Sequence, residues 1–175
     1  VVRTRIGSPF VIAGMEKAGG RVVGYEANGG FLLGFDAVGP AGPLPALATR
    51  DAVLPLLAPL AAAKDGLAAL VASQPARFTA ADRLQEVPTE KSIALVAEFD
   101  TNLDKRADFL ALFDGEEAGV DRTDGLRMTL KDERIVHLRP SGNAPELRFY
   151  AEADSVDAAQ RTLATGLAAL SKALK

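Results

Sequence analysis

Two arginines flank a turn-rich segment near the end of the sequence and could bind one anion. The stretch from Ile135 to Glu152 reads IVHLRPSGNAPELRFYAE, in which β-type residues surround Pro-Ser-Gly-Asn-Ala-Pro. Proline, glycine and asparagine favour a tight loop, and such a loop can turn several backbone N–H groups toward a single anion. Arg139 enters the loop and Arg148 leaves it, so two guanidinium groups can converge there.

The residue types in this loop suit phosphate. Guanidinium groups match phosphate oxygens bidentately, and Ser141 and Asn143 add neutral donors. The stretch predicts a phosphate clamp made of Arg139, Ser141, Gly142, Asn143 and Arg148. It is not a nucleotide P-loop, because Gly-Lys-Ser/Thr is missing. The alternative interpretation is an ordinary β-hairpin with a loop glycine and two surface arginines.

A second polar tip lies between two predicted strands. The segment Glu26-Ala27-Asn28-Gly29-Gly30 ends one strand with an acid, an amide and two glycines. A carboxylate can accept hydrogen bonds from two sugar hydroxyls, and an amide can donate or accept. Glu26, Asn28 and Gly29 are therefore candidate sugar contacts. The alternative is a plain hairpin turn, since Asn-Gly is a strong hairpin signal.

The first half of the chain must position that tip with helices and short strands. The patterns predict helices at Pro9 to Lys17, at Arg50 to Ala63 and at Asp65 to Ala72, strands at Arg21 to Tyr25 and at Phe31 to Phe35, and a Pro/Gly-rich connection at Gly39 to Leu47. Thr49 is the predicted cap of the second helix, which two internal prolines should kink. Its apolar residues and those of the third helix predict a core face, with a membrane or partner surface as the alternative (Leu54, Leu57, Leu60, Leu67, Leu70, Val71).

The second half predicts a β-α-β-β-β-α unit that carries the clamp. Gln74 to Pro88 is charged and bounded by prolines, so it reads as a domain boundary. After it, the patterns predict strands at Lys91 to Phe99, Leu126 to Leu130, Arg134 to Arg139 and Leu147 to Ala153, and helices at Leu103 to Phe113 and from Asp154 or Ser155 to about Leu174. Hairpin connections imply a four-stranded antiparallel sheet with both helices on one face.

Composition excludes several classes of protein. The chain has 175 residues, a net charge of −3, no cysteine and one histidine. The footprint of a nucleic-acid binder is missing, no 18-residue apolar run predicts a membrane span, and a zinc site is disfavoured. The absence of cysteine suits a reducing cytosol. His137 reads as structural, and the acidic run from Asp114 to Glu117 reads as a solvated turn rather than a metal site.

Both polar segments resemble those of the α-D-phosphohexomutases, which include phosphomannomutases, phosphoglucomutases and phosphoglucosamine mutases. R-x-S-G-x-x-P-x-x-R-x-Y-x-E is similar to their C-terminal phosphate-binding loop, usually Ser-Gly-Thr-Glu-Pro, with Asn143 and Ala144 as departures. G-Y-E-A-N-G-G is similar to their sugar-recognition loop, with Gly30 where some members carry histidine. Ala144 removes a carboxylate, and a histidine contact at position 30 is absent.

The resemblance implies an α/β architecture in two parts. Residues 1–75 would be the C-terminal part of an α/β/α third domain that holds the sugar loop. Residues 76–88 would be a linker, and residues 89–175 the α+β fourth domain that holds the phosphate loop. No Ser-His-Asn-Pro phosphoserine loop and no Asp-Gly-Asp-x-Asp-Arg metal loop occur in the chain.

The resemblance further implies an isomerising enzyme that moves phosphate between positions 1 and 6 of a hexose, most closely a phosphomannomutase. A phosphoserine and a Mg²⁺ ion would lie in the first and second domains of the same cytoplasmic enzyme. This chain would then hold no catalytic residue and no metal ligand, and alone it would be inactive. Two alternatives stay open: a non-catalytic or regulatory module that binds a phosphorylated ligand, and a structural fragment that mediates assembly.

Overall fold

The structure is a computed structural model and describes residues 1–39 and 41–175. It contains two compact units, Val1–Pro75 and Ala76–Lys175. In the described residues no helix is both long and apolar enough to cross a membrane.

The first unit is built from short antiparallel strands and three helices. Its elements are α1 Ser8–Ala18, β1 Val23–Tyr25, β2 Phe31–Leu33, β3 Ala37–Gly39, β4 Gly42–Leu44, β5 Leu47–Asp51, α2 Leu54–Ala62 and α3 Leu67–Ala72. Strands β1, β2 and β5 form one antiparallel sheet, and β3 pairs with β4. Leu32 is fully buried in this sheet, and Val11 of α1 is buried as well.

Three predictions for this unit were wrong. The Gly39 to Leu47 connection contains β4 and the last residue of β3, which pair with each other, and its Pro40 lies outside the described residues. Thr49 lies within β5, and α2 begins only at Leu54. The residues predicted as a core face are exposed or half-buried, and neither α2 nor α3 has a buried residue. An apolar helix face does not by itself determine which surface covers it.

The second unit places one antiparallel sheet against three helices. Its elements are β6 Phe78–Gln85, α4 Thr89–Thr101, α5 Leu103–Ala111, β7 Glu117–Asp121, β8 Leu126–Leu130, β9 Ile135–Pro140, β10 Glu146–Ala153 and α6 Val156–Ala173. The strand order is β6-β10-β9-β8-β7. The helices and the inward residues of the strands share one core, in which Phe149, Leu110, Met128 and Leu170 are almost completely buried.

The sheet therefore has five strands rather than four, and three helices pack on it rather than two. Lys91 to Phe99 is not a strand but part of α4, whose buried residues Ser92, Leu95, Val96 and Phe99 follow a helical period. The apparent alternation included Ile93, which is exposed. Two strands were missed. Residues 76–88, predicted as a linker, contain β6, and the acidic run predicted as a turn ends at Glu117, where β7 begins.

The alternating pattern of the sheet decides which residues face the helices. In β10, every second residue from Leu147 is buried, and the residues between them are half-buried on the opposite face. β8 and β9 mostly follow the same rule. The face away from the helices therefore carries the polar side chains, among them Arg139 and Arg148.

Candidate functional site

The two clamp arginines lie directly opposite each other. Arg139 of β9 pairs in register with Arg148 of β10. Residues opposed in this way project from the same face, with roughly 4.5–5.5 Å between their Cβ atoms. The two guanidinium groups therefore share one region at the end of the β9–β10 hairpin, next to the loop of residues 141–145. Like charges placed opposite each other are destabilising, so each arginine needs a negative partner.

Arg139 is largely buried and only partly satisfied. Its side chain is 12% exposed, and its Nε lies 2.7 Å from Oδ2 of Asp124. This contact is an ion pair without hydrogen-bond geometry, and both Nε and Nη1 are buried with no hydrogen-bond partner. Buried donors of a charged group are rarely left without acceptors. Since Nε already lies beside the Asp124 carboxylate, Nη1 is the donor of Arg139 that has neither an ion-pair nor a hydrogen-bond partner.

Asp124 reaches Arg139 because a glycine follows it. Gly125 has φ +85°, and a Cβ atom there would lie 2.3 Å from the carbonyl oxygen of Leu138. Only glycine lets the start of β8 approach β9 so closely. The sequence pattern identified Asp124-Gly125 as a turn and did not reveal that this turn positions the clamp.

Arg148 has two partners on its own strand. Its Nη2 and Nε donate to Oε2 of Glu146 at 3.3 and 3.4 Å. Burial disfavours the charge on Arg148, but the hydrogen bond and charge of Tyr150 and of Glu146 outweigh it and raise the pKa of Arg148. Arg148 is therefore a permanent cation. Glu146 was missed in the sequence, although residues two apart in a strand lie on the same face.

The loop itself offers donors of two kinds. The hydroxyl of Ser141 donates to Oδ1 of Asn143 at 3.0 Å, and the Ser141 N–H donates to the carbonyl of Glu146. Ser141 thus orients the Asn143 amide, whose NH₂ group stays available. Within the part of the chain that the structure describes, no acceptor is found for the backbone N–H groups of Gly142 and Asn143.

Gly142 provides a test that separates folding from binding. Its φ is not positive, and a Cβ atom there would meet nothing within 4 Å, so the fold does not require glycine. We expect Gly142→Ala to leave thermal unfolding unchanged, and to weaken phosphate binding about tenfold because the methyl group obstructs the loop amides. Titration with inorganic phosphate beside a melting curve measures both. Unchanged phosphate affinity would contradict a clamp that uses these amides.

His137 contacts one partner of each clamp arginine: Asp124, which lies beside Arg139, and Tyr150, which interacts with Arg148. Its Nε2 lies 2.6 Å from the carbonyl oxygen of Asp124, and its ring stacks on Tyr150 with 5.3 Å between centroids. Burial lowers the pKa of His137 below 6.5; the carbonyl and carboxylate of Asp124 oppose this shift, and Arg127 and Arg139 add to it. The ring is thus neutral at pH 7 and donates to the carbonyl, a contact that fits the structural role predicted for it.

The predicted sugar contacts form the turn between β1 and β2. Gly29 has φ +87°, and its N–H donates to the carbonyl of Glu26 at 3.0 Å. The carboxylate of Glu26 is only 7% exposed. It accepts from the N–H of Gly7 and the hydroxyl of Ser8, at 3.1 and 3.2 Å.

These contacts show what Glu26 and Asn28 do within the first unit. Glu26 anchors the start of α1, and Arg50 of β5 lies 3.8 Å from it. Asn28 Oδ1 accepts the N–H of Gly30, which leaves its NH₂ group outward. Direct sugar contact by Glu26, Asn28 and Gly29 therefore stays a prediction. The roles of Ser8 and Arg50 in this arrangement had no signal in the sequence.

No metal centre is found in the residues from 1 to 39 and from 41 to 175. They contain no group of three or more His, Cys, Asp or Glu side chains that could hold an ion. The acidic run near Glu117 serves instead to bind a buried arginine: both oxygens of Glu117 accept from Arg106.

Part of the chain matches a protein-family model, and nearly all of it aligns with known bacterial proteins. The family model for the phosphoglucomutase/phosphomannomutase C-terminal domain matches residues 81–167. The phosphomannomutase of Sinorhizobium fredii is 46% identical over 183 aligned positions, which cover 99% of this chain and 38% of that protein. The phosphomannomutase of Salmonella muenchen is 43% identical over 174 positions, which cover 95% of this chain and 36% of that protein. The chain thus spans little more than a third of the length of these relatives.

Proposed function

The chain belongs to the phosphoglucomutase/phosphomannomutase family, and we propose that it holds the phosphate group of the substrate in a phosphohexomutase. The reaction would move phosphate between positions 1 and 6 of a hexose. The names of the relatives make mannose phosphate the first candidate substrate. The buried, unsatisfied donors of Arg139, set opposite Arg148, are the observation that carries this proposal.

The clamp would bind the phosphate that is not transferred. That group keeps its negative charge throughout the reaction and is therefore the natural handle for orientation. Arg139 and Arg148 would contact its oxygens, and the amide of Asn143 and the loop N–H groups would add neutral hydrogen bonds. Ser141 would act by orienting Asn143, because its hydroxyl hydrogen is already donated. Glu26, Asn28 and Gly29 would read sugar hydroxyls.

A mutase must bind its substrate in two orientations, with phosphate at either end of the sugar. A clamp that recognises phosphate firmly and leaves the hydroxyls to a few contacts suits that requirement. Magnesium, when bound to the enzyme, would stabilise the transferred phosphoryl group. The described residues offer no cluster for such an ion. We therefore assign no step of the transfer to this chain.

Two further features fit a larger enzyme. The chain corresponds to 38% and 36% of the two phosphomannomutases named above. In addition, the exposed apolar side chains of α2 and α3 include Leu56, Leu57, Leu60, Leu67 and Val71. Exposed apolar patches mark contact surfaces. We propose that the preceding part of the same polypeptide covers the exposed apolar face of α2 and α3, and that the complete enzyme is cytoplasmic.

Turnover tests the proposal directly. Conversion of mannose 6-phosphate to mannose 1-phosphate can be followed by ³¹P NMR. The 175-residue chain alone should show none, because its sequence contains neither the phosphoserine-loop motif nor the metal-loop motif of the family. The complete polypeptide should convert the substrate, and Arg139→Ala should impair it mainly by raising KM. Turnover by the short chain, or no turnover by the complete one, would contradict the proposal.

A further inference from the structure

A third arginine stands in line with the two clamp arginines. Strand β6 pairs with β10 on the side away from β9, and Arg83 of β6 is in register with Arg148. Arg148 is in turn in register with Arg139. Arg83, Arg148 and Arg139 therefore form one row across three neighbouring strands, on the face away from the helices. Such a row of like charges is destabilising by itself.

Two carboxylates are interleaved with the three arginines. Asp124 lies beside Arg139. Glu146 lies between the other two: its Oε2 accepts from Arg148, and its Oε1 lies 3.2 Å from Nε of Arg83. The Glu146 side chain is 13% exposed, whereas that of Arg83 is 49% exposed. The row thus has three positive and two negative formal charges, and one cation is left over for an added anion.

Glu146 occupies one of the two edges through which Arg148 can bind an oxyanion bidentately. Both Nε and Nη2 of Arg148 donate to the same carboxylate oxygen, while Nη1 and Nη2 form the other edge. A phosphate that binds at the edge formed by Nε and Nη2 would displace Glu146 from Arg148. Without a second partner, the displaced and mostly buried carboxylate would lose its ion pair, which is costly.

We propose that Glu146 is an internal substitute for the substrate phosphate at Arg148, and that Arg83 is the positioning residue that retains Glu146 when phosphate displaces it. This inference rests on the function proposed above and adds a competition to it. The exchange sets the phosphate affinity of the clamp. Because the carboxylate can return to Arg148, it also promotes release of the bound phosphate, which a substrate that must reorient requires.

A double-mutant cycle with inorganic phosphate tests this exchange in the 175-residue chain at low salt. In Arg83→Gln, Glu146 depends on Arg148 alone, so phosphate affinity should fall roughly three- to tenfold. In Glu146→Gln the competitor is gone, so affinity should rise by a similar factor. In the Glu146→Gln protein, Arg83 has no carboxylate to retain. Adding Arg83→Gln to that protein should therefore change its phosphate affinity less than twofold.

Arg77→Gln is the matched control. Arg77 pairs with Glu152 at 2.9 Å, at the other end of the same pair of strands. It lies six residues before Arg83, which is roughly 20 Å along a strand. This variant removes the same charge from a similar ion pair and should leave phosphate affinity within twofold. Thermal unfolding of each variant verifies that the chain is folded.

The outcomes separate this inference from the proposed function. Loss of affinity in Arg83→Gln that is equally large in the Glu146→Gln background would show direct contact with phosphate and overturn the exchange. An unaffected affinity in both single variants, or an equal loss in Arg77→Gln, would overturn it as well, while the clamp would stand. If the unmodified chain does not bind phosphate, or if its binding does not depend on Arg139, the proposed function is overturned and the exchange with it.

Discussion

Replacing Arg139 by alanine should reduce phosphate affinity roughly a hundredfold, which corresponds to about 3 kcal/mol. The size of the loss follows from burial. Charge-assisted hydrogen bonds are strongest where water is excluded, and Nη1 of Arg139 is buried without a hydrogen-bond acceptor. Isothermal titration of the chain with inorganic phosphate measures the effect, and titration with mannose 6-phosphate extends it to the proposed substrate.

Arg139→Lys is the control for charge. Lysine keeps the positive charge beside Asp124 but has no fork of donors, so it should recover only part of the lost affinity. Arg122→Ala removes an exposed arginine of the same unit and should leave binding unchanged. If the Arg139→Ala chain binds phosphate as tightly as the unmodified chain, the buried donors of Arg139 do not bind phosphate and the clamp assignment is wrong.

Replacing Arg106 by alanine should destabilise the second unit by about 3–5 kcal/mol, because it leaves a carboxylate and buried carbonyl groups without their donor. Arg106 is 4% exposed. It donates to both oxygens of Glu117 and to the carbonyl groups of Phe99 and Asp100. These bonds join α4, α5 and β7. Urea unfolding followed by circular dichroism measures the loss.

Arg122→Ala serves as the matched variant for Arg106 as well. The Nε of Arg122 donates to Asp100 Oδ1 at 2.6 Å, but its side chain is 55% exposed. An exposed pair of this kind contributes at most about 1 kcal/mol. If the two alanine variants lose similar amounts of stability, the buried network does not hold these elements together.

The sequence predicted the clamp hairpin well because its signals were local. Turn residues between two β-type runs indicate a hairpin without any knowledge of the rest of the chain, and antiparallel pairing then puts Arg139 and Arg148 on one face. The buried partner Asp124 comes from another strand. Its approach depends on Gly125, so only tertiary structure could reveal it.

The errors in the second unit have identifiable physical causes. β6 is an edge strand in which Ala80 is buried, Leu84 is half-buried and the other residues are exposed, and charged edge residues hide its β pattern. The segment from Lys91 to Phe99 fits a period of two as well as a helical period, and burial of Ser92 and Val96 decides for the helix. Because Arg83 belongs to β6, the row of three arginines could not be predicted while that strand was missed.

The first unit shows a different limit of sequence reasoning. Glu26 was selected for its position at a polar tip, and the structure places its carboxylate against Gly7 and Ser8 instead of in open solvent. Those contacts join residues about twenty positions apart, which no local pattern encodes. In α2 and α3 the apolar residues predicted as a core face are exposed or half-buried, because an apolar pattern does not encode which surface covers it.

NMR titration of the 175-residue chain with inorganic phosphate is the most direct test of the clamp. The chain has a single histidine, so the His137 resonance is unambiguous. If the clamp binds phosphate, we expect saturable shifts of the amides of residues 141–143. We also expect the pKa of His137 to rise, because a bound anion offsets the Arg139 charge that helps to lower it. A folded chain whose loop amides and His137 pKa stay unchanged at saturating phosphate would contradict the clamp.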